Sequence, residues 1–173
     1  MPNLTDLEIR NGILSTIESA TGDAVLLNRW VLALGLGESI PYLKNSSGKI
    51  HGYMVSRSGI GSRVDGVGSK KYIITQPYKL WGFKGFKLGQ TSGLDELDEL
   101  ELRNSEDEFS LEVDAVLMEI MKAPRLAWDD LDYNFVKHEN WQIEDIDVFD
   151  FGNEKVHVAQ GTLEITLRVQ ATT

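Results

Sequence analysis

Residues 105–122 constrain the fold of this chain more than any other segment. Phe109, Val113, Val116, Leu117 and Ile120 stand at offsets of 0, 4, 7, 8 and 11, with Glu, Asp and Ser between them. On a helix of 3.6 residues per turn those positions form one continuous apolar face. Such a stripe is stable only when another layer covers it. Ser105 with Glu108 three residues later has the form of a capping box, and Asp107 adds a carboxylate to the first turn. Lys122 followed by Pro124 supplies a stop. The spacing therefore predicts a helix entered at Ser105 and closed at Lys122, and the rest of the chain must provide the surface beneath it.

The last third supplies β-type material. Residues 141–151 and 154–169 flank Gly152-Asn153, a two-residue hairpin turn. In the second of these strands the apolar positions are even at Val156 and Val158, then odd at Leu163, Ile165, Leu167 and Val169. A period of two cannot change parity without an extra residue, so a β-bulge is expected at Gln160-Gly161. His157 alternates with Val156 and Val158 and is expected on the opposite face, at a surface or interface.

The first half reads as a helix and three strands. Thr5 and Glu8 form a capping box, with Leu4 and Ile9 at the staple positions. Ile9, Ile13, Ile17 and Ala20 continue the apolar stripe until Thr21-Gly22-Asp23 ends it. Residues 24–36 read as a buried strand, with a short helix as the alternative, Asn45-Ser46-Ser47-Gly48 as a turn and 50–57 as a strand. Residues 58–69 read as a long glycine-rich loop and 70–88 as β-structure. Pro77 lacks a ladder donor, which makes the latter an edge strand or two pieces. Residues 89–104 read as an acidic connector. The expected fold is α+β, a mainly antiparallel sheet with two helices on one face, in the order α-β-β-β-α-β-β. It forms a single domain over 1–173, with flexible loops near 58–71 and 89–104.

The composition suits a buried core: 42% of the 173 residues are apolar and 25% charged. The absence of cysteine excludes a disulfide framework, a thiolate metal site and a cysteine nucleophile. The start has no basic and apolar leader pattern, and the apolar run at 30–36 is far short of the ~20 residues of a membrane span. A soluble, intracellular protein is expected.

Charge is divided along the chain. Residues 1–90 carry eleven Lys/Arg and six Asp/Glu, whereas residues 91–173 carry six and twenty-one, within an overall charge of −10. Opposite poles on one molecule steer copies toward head-to-tail contact. Arg57, Arg63, Lys70 and Lys71 mark the basic pole. Glu106, Asp107, Glu108 and Glu112 mark the acidic one, either as a solvated helix face or as a docking surface for a neighbour's basic loop.

No motif names a reaction. In the glycine-rich run, Ser69 separates Gly68 from Lys70 and β-type sequence follows, so the Gly-Lys-Ser/Thr helix start of a phosphate loop is missing. The segment 81–87 interleaves aromatics with lysines, but Lys87 stands where an RNA-stacking motif needs Gly or Ala. His51, His138 and His157 lie singly, without metal-ligand spacing. The carboxylates lack calcium-loop spacing, and no serine elbow with a His–Asp pair is evident. No catalytic, cofactor-binding or metal residue is expected, and no cofactor.

Four features together carry a family resemblance: the capped N-terminal helix, the central β-region with its long loop, Asn104-Ser105-Glu106 leading into the acidic helix, and the closing strand around His157-Val158-Ala159. This layout resembles the tail-terminator, or head–tail joining, proteins of long-tailed bacteriophages. The resemblance implies a non-enzymatic structural protein of the virion tail or neck, assembled in the host cytoplasm. It implies a homo-oligomeric ring, typically a hexamer, that ends tail-tube growth and meets the head connector, without membrane or sequence-specific nucleic acid as partner. The candidate interface is Arg57, Arg63, Lys70, Lys71, Glu106, Asp107, Glu108, Glu112 and His157. A monomeric binding or adaptor module is the alternative, and a small enzyme a more distant one.

Overall fold

The computed structural model describes residues 5–28, 40–59, 62–65, 71–86, 96–122, 135–151 and 154–170. Among the described residues two α-helices, α1 (Asp6–Thr21) and α2 (Glu96–Lys122), accompany six strands. These are β1 (Val25–Leu27), β2 (His51–Arg57), β3 (Ser62–Asp65), β4 (Lys71–Phe86), β5 (Phe135–Phe151) and β6 (Glu154–Gln170). The sheet runs β1-β2-β4-β6-β5, with β3 also beside β4; β1–β2 is its parallel pair and every other pairing is antiparallel. This is the expected α+β fold with one more short strand.

The capping box of α1 forms as its sequence dictates. The Glu8 amide donates to Thr5 Oγ1 at 3.3 Å, and the Thr5 amide donates to the Glu8 carboxylate at 2.6 Å. That bond holds the Glu8 carboxyl below its ordinary range. Gly22, at φ 60°, terminates the helix in a backbone region that favours glycine. Leu4 of the expected staple lies outside the described residues. In the turn at 45–48, the Asn45 side-chain oxygen accepts from the Ser47 and Lys49 amides.

Both helices lie on one face of the sheet. Ile9, Ile13, Leu14 and Ile17 of α1 and Val116 and Ile120 of α2 bury against Tyr53, Val55, Tyr78, Leu80, Leu163 and Ile165. The opposite face carries a second core, in which Leu43 and Ile50 close over Met54, Phe83, Val156 and Val158. Glycines admit close approach on each side. A Cβ on Gly82 would sit 2.8 Å from the Tyr53 ring, and one on Gly52 would sit 2.6 Å from Leu43.

The two cores resolve the parity puzzle without the expected bulge. β6 pairs with β4 in unbroken register from Lys155 to Gln170, so Gln160-Gly161 inserts nothing there. Val156 and Val158 belong to the second core, whereas Leu163 and Ile165 belong to the helix-side core. What changes along β6 is the face being covered. The register shifts against β5 all place the extra residue in β5.

Four other expectations are corrected. The helix expected at Ser105 begins at Glu96, so the 89–104 loop gives way to helix from 96 onward and Ser105 is not a cap. A run of Glu, Leu and Asp extends a helix without a break, and that hid the true start. The loop expected at 58–71 contains β3, paired with Tyr72–Thr75, and the first residue of β4; residues 60, 61 and 66–70 lie outside the described set. Only Val25–Leu27 of the expected 24–36 strand is strand among the described residues. Finally, Pro77 sits inside one continuous central strand. β2 pairs with β4 from Tyr78 onward and β3 up to Thr75, leaving Pro77 at the junction. Its carbonyl accepts from the Ser58 amide at 2.9 Å on that side. N and C=O of one strand residue point the same way, so the missing N–H costs one bond at the end of the β2 ladder and leaves the β6 side of β4 intact.

Candidate functional site

The sheet register brings three basic side chains into one row beneath α2. His51 of β2 pairs with Lys84 of β4, which pairs with His157 of β6. In strands this row lies on the helix-facing side, with α2 supplying Ser105, Glu108, Phe109 and Glu112 above it. His51 and Lys84 come from the basic half of the chain, whereas His157 and the acidic helix come from the other half.

His51 is clamped between carboxylates. Its Nδ1 lies 3.0 Å from Asp23 Oδ1, at the end of α1, and its Nε2 lies 2.8 Å from Glu112 Oε1 of α2. The Tyr53 hydroxyl donates to the same Glu112 oxygen at 2.8 Å, and Lys84 Nζ stands 3.7 Å from the other. Two acceptor partners favour the imidazolium. The hydrogen bond to Glu112 raises the His51 pKa, burial opposes it, and the charges of Glu112 and Asp23 add to the rise. Burial pushes the Glu112 carboxyl up, but hydrogen bonds from His51 and Tyr53, with the charges of His51 and Lys84, bring it below its ordinary value. Burial also raises the Tyr53 phenol, reinforced by the Glu112 charge. With both nitrogens engaged, His51 ties β2 to α1 and α2 and is not positioned to take a substrate's proton.

His157 is the opposite case. It is fully buried, stacked on Phe86 at 4.3 Å and facing Phe109 at 6.0 Å. Its Nε2 lies 3.1 Å from Ser105 Oγ, while Nδ1 has no hydrogen-bond partner among the described residues. Burial lowers its pKa, the Glu106 charge raises it and the Lys84 charge lowers it further. The Ser105–His157 distance suits a nucleophile and its base. However, Ser105 lies inside α2, where neighbouring amides are committed to helical bonds and none is left to hold an oxyanion. The pair therefore acts as a hydrogen bond between α2 and β6.

An open pocket of about 700 Å³ lies at the same end of the sheet, lined by Asp23, Asn45, Lys49, Lys84, Ser105 and Glu108 among others. Its charges are mixed and its mouth is wide, so it favours no single ligand sign. Among the described residues no group of three His, Asp or Glu converges on a metal-sized site. No helix among them is long and apolar enough to cross a membrane.

The expected interface residues separate into two sets. Glu106, Asp107 and Glu108 are exposed on α2, and Arg57 is exposed at the end of β2. Arg63 lies in β3 with its backbone opposite Ile74, Lys71 opens β4 opposite Gln170, and Lys70 is outside the described residues. Two assignments are corrected. Glu112 turns inward, with 14% of its side chain exposed against 72% for Glu108, because His51, Tyr53 and Lys84 draw it toward the sheet. His157 is expected at a surface but lies under Phe109, because the sheet face it occupies is the one α2 covers.

Sequence reasoning missed His51 as a site. Its alternation with Tyr53 on one strand face is visible in the sequence, but Glu112 lies 61 residues away and only the tertiary fold joins them. Fold and site together define an α+β protein whose acidic helix is clamped by charge to one face of a mainly antiparallel sheet. Compared with known proteins, no family model matches the chain and no curated protein matches it.

Proposed function

We propose that this chain is a structural virion protein whose copies form a ring, typically a hexamer, that terminates the tail tube of a long-tailed phage and joins it to the head connector. The layout resemblance supports this reading. The observation that carries it is the spacing between the charge poles. The carboxylates of α2 at 106–108 lie beside the Lys84 and His51 end of the sheet, where Lys84 Nζ stands 3.8 Å from Glu108. Arg57 closes β2 at its far end. At ~3.3 Å per strand residue the two poles are roughly 20 Å apart. Poles that far apart do not neutralise each other within one molecule. They suit a heterologous contact, in which one patch meets a different patch on the next copy and rotation closes a ring.

Native mass measurement at low and high salt tests the proposal. A closed oligomer at low salt that weakens at high salt is expected, because exposed charges are screened beyond ~8–10 Å at physiological ionic strength. A strict monomer at both salt levels contradicts it. The open pocket favours a second reading, a monomeric binding module for a small polar ligand. A large thermal shift in a screen of nucleotides and sugars, from a protein that stays monomeric, supports that reading instead.

A further inference from the structure

The outward face of α2 has a pattern of its own. Leu100, Asp107, Leu111, Asp114, Met118 and Met121 fall on the alternating three- and four-residue steps of a helix-packing seam, and all six are exposed. The four apolar members are 55%, 69%, 50% and 60% exposed in chain order. Among the described residues six large hydrophobic side chains are exposed, and these are four of them, which marks the seam as the surface apolar residues have collected on. It lies directly opposite the buried face of Phe109, Val113, Val116 and Ile120, so the sheet cannot cover it.

We infer that a second copy of this chain seats its Arg57 end on this seam, with the leucines and methionines as the apolar centre of the contact and Asp107 and Asp114 selecting a cationic surface. The inference rests on the ring reading and names the interface that ring would use. Charge carries the choice of occupant. If two copies paired α2 against α2 in antiparallel fashion, centred on the seam, Asp107 of each would face Asp114 of the other. Like charges across such a seam disfavour that pairing. The contact therefore needs a different, basic surface, and Arg57, exposed at the end of β2 and followed in sequence by Arg63, Lys70 and Lys71, is at the basic pole of the chain. Size adds a constraint. From Leu100 to Met121 the seam is ~32 Å long at ~1.5 Å per residue, and at ~10 Å wide it offers ~300 Å². A stable contact buries ~800 Å² per partner, so the seam is the centre of the contact and surface beyond it on both copies must also be covered.

The chain has no cysteine, so engineered thiols report without background. Met118→Cys and Ser58→Cys proteins, the second keeping Arg57 beside the new thiol, are mixed in equal amounts at low salt and treated with a short bis-maleimide. The expected product is a covalent dimer joining one of each, in excess over either self-pair. A dominant Met118→Cys self-pair means that α2 packs on α2 and overturns the inference. A ring that assembles with no mixed product overturns the seam but leaves the ring reading standing; a monomer throughout removes both. As a second variant, Leu111→Glu with Met118→Glu is expected to weaken self-association at least tenfold while the circular dichroism spectrum stays that of wild type. Assembly undiminished by that variant also counts against the seam.

Discussion

The two faces of α2 carry carboxylates that behave in opposite ways. Inward, Glu112 is gripped by His51, Tyr53 and Lys84 and ties three elements together. Outward, Asp107 and Asp114 are exposed among leucines and methionines. One helix thus holds structural charge on one side and charge available to a neighbour on the other. The difference shows that a count of acidic residues does not identify a docking surface; which of them the fold has already used does.

Breaking the inner face is expected to have the largest effect. Phe109→Ala removes a fully buried ring from between α2 and His157 and should cost about 3–5 kcal/mol, read by denaturant unfolding. Water reaching His157 should also move its pKa up toward the ordinary value, visible by NMR titration. Glu112→Gln leaves shape but removes charge, and a loss of about 2 kcal/mol is expected near neutral pH.

The same variant separates the two histidines by pH. His51 has a folded pKa above the ordinary 6.5, so its contribution is full below that value and is lost as pH rises through the folded one. His157 has a folded pKa below 6.5, so its contribution is full above that value and is lost as pH falls. Stability should therefore be greatest near pH 6.5, with Glu112 itself adding to the acid-side loss as it protonates. In Glu112→Gln the alkaline decline should flatten while the His157 part of the acid-side decline persists. An unchanged alkaline limb would mean that His51 is not held as an imidazolium. The smallest stability effect belongs to the outer face: Asp107→Asn and Asp114→Asn together should change unfolding by less than about 1 kcal/mol. They should nevertheless weaken self-association.

Much of the fold was legible because local chemistry and tertiary demand agree. The capping box of Thr5 and Glu8, the apolar face of α2 and the hairpin between β5 and β6 are each written in adjacent residues. The start of α2 was not, since Ser105-Glu106-Asp107-Glu108 has the form of a cap while its side chains serve elsewhere. Ser105 bonds His157, and Glu108 approaches Lys84. The parity change in β6 was visible, but its cause was a second core built by Leu43 and Ile50, far away in sequence. For the site, the residue types were legible and the pairings were not. His51, Lys84 and His157 meet only through strand register, and burial of His157 follows from a helix that crosses it.

The outward face of α2 and the Arg57 end of the sheet are the account's two docking surfaces, and a charge exchange tests them most directly. One variant carries Arg57→Glu and Arg63→Glu; the other carries Asp107→Lys and Asp114→Lys. By native mass measurement each alone should remain monomeric, because its reversed pole now repels the unreversed one. Mixed in equal amounts, the two should assemble in alternation, with like-with-unlike contact restored at every interface. Assembly of either variant alone at wild-type strength, or a mixture that stays monomeric, contradicts the account.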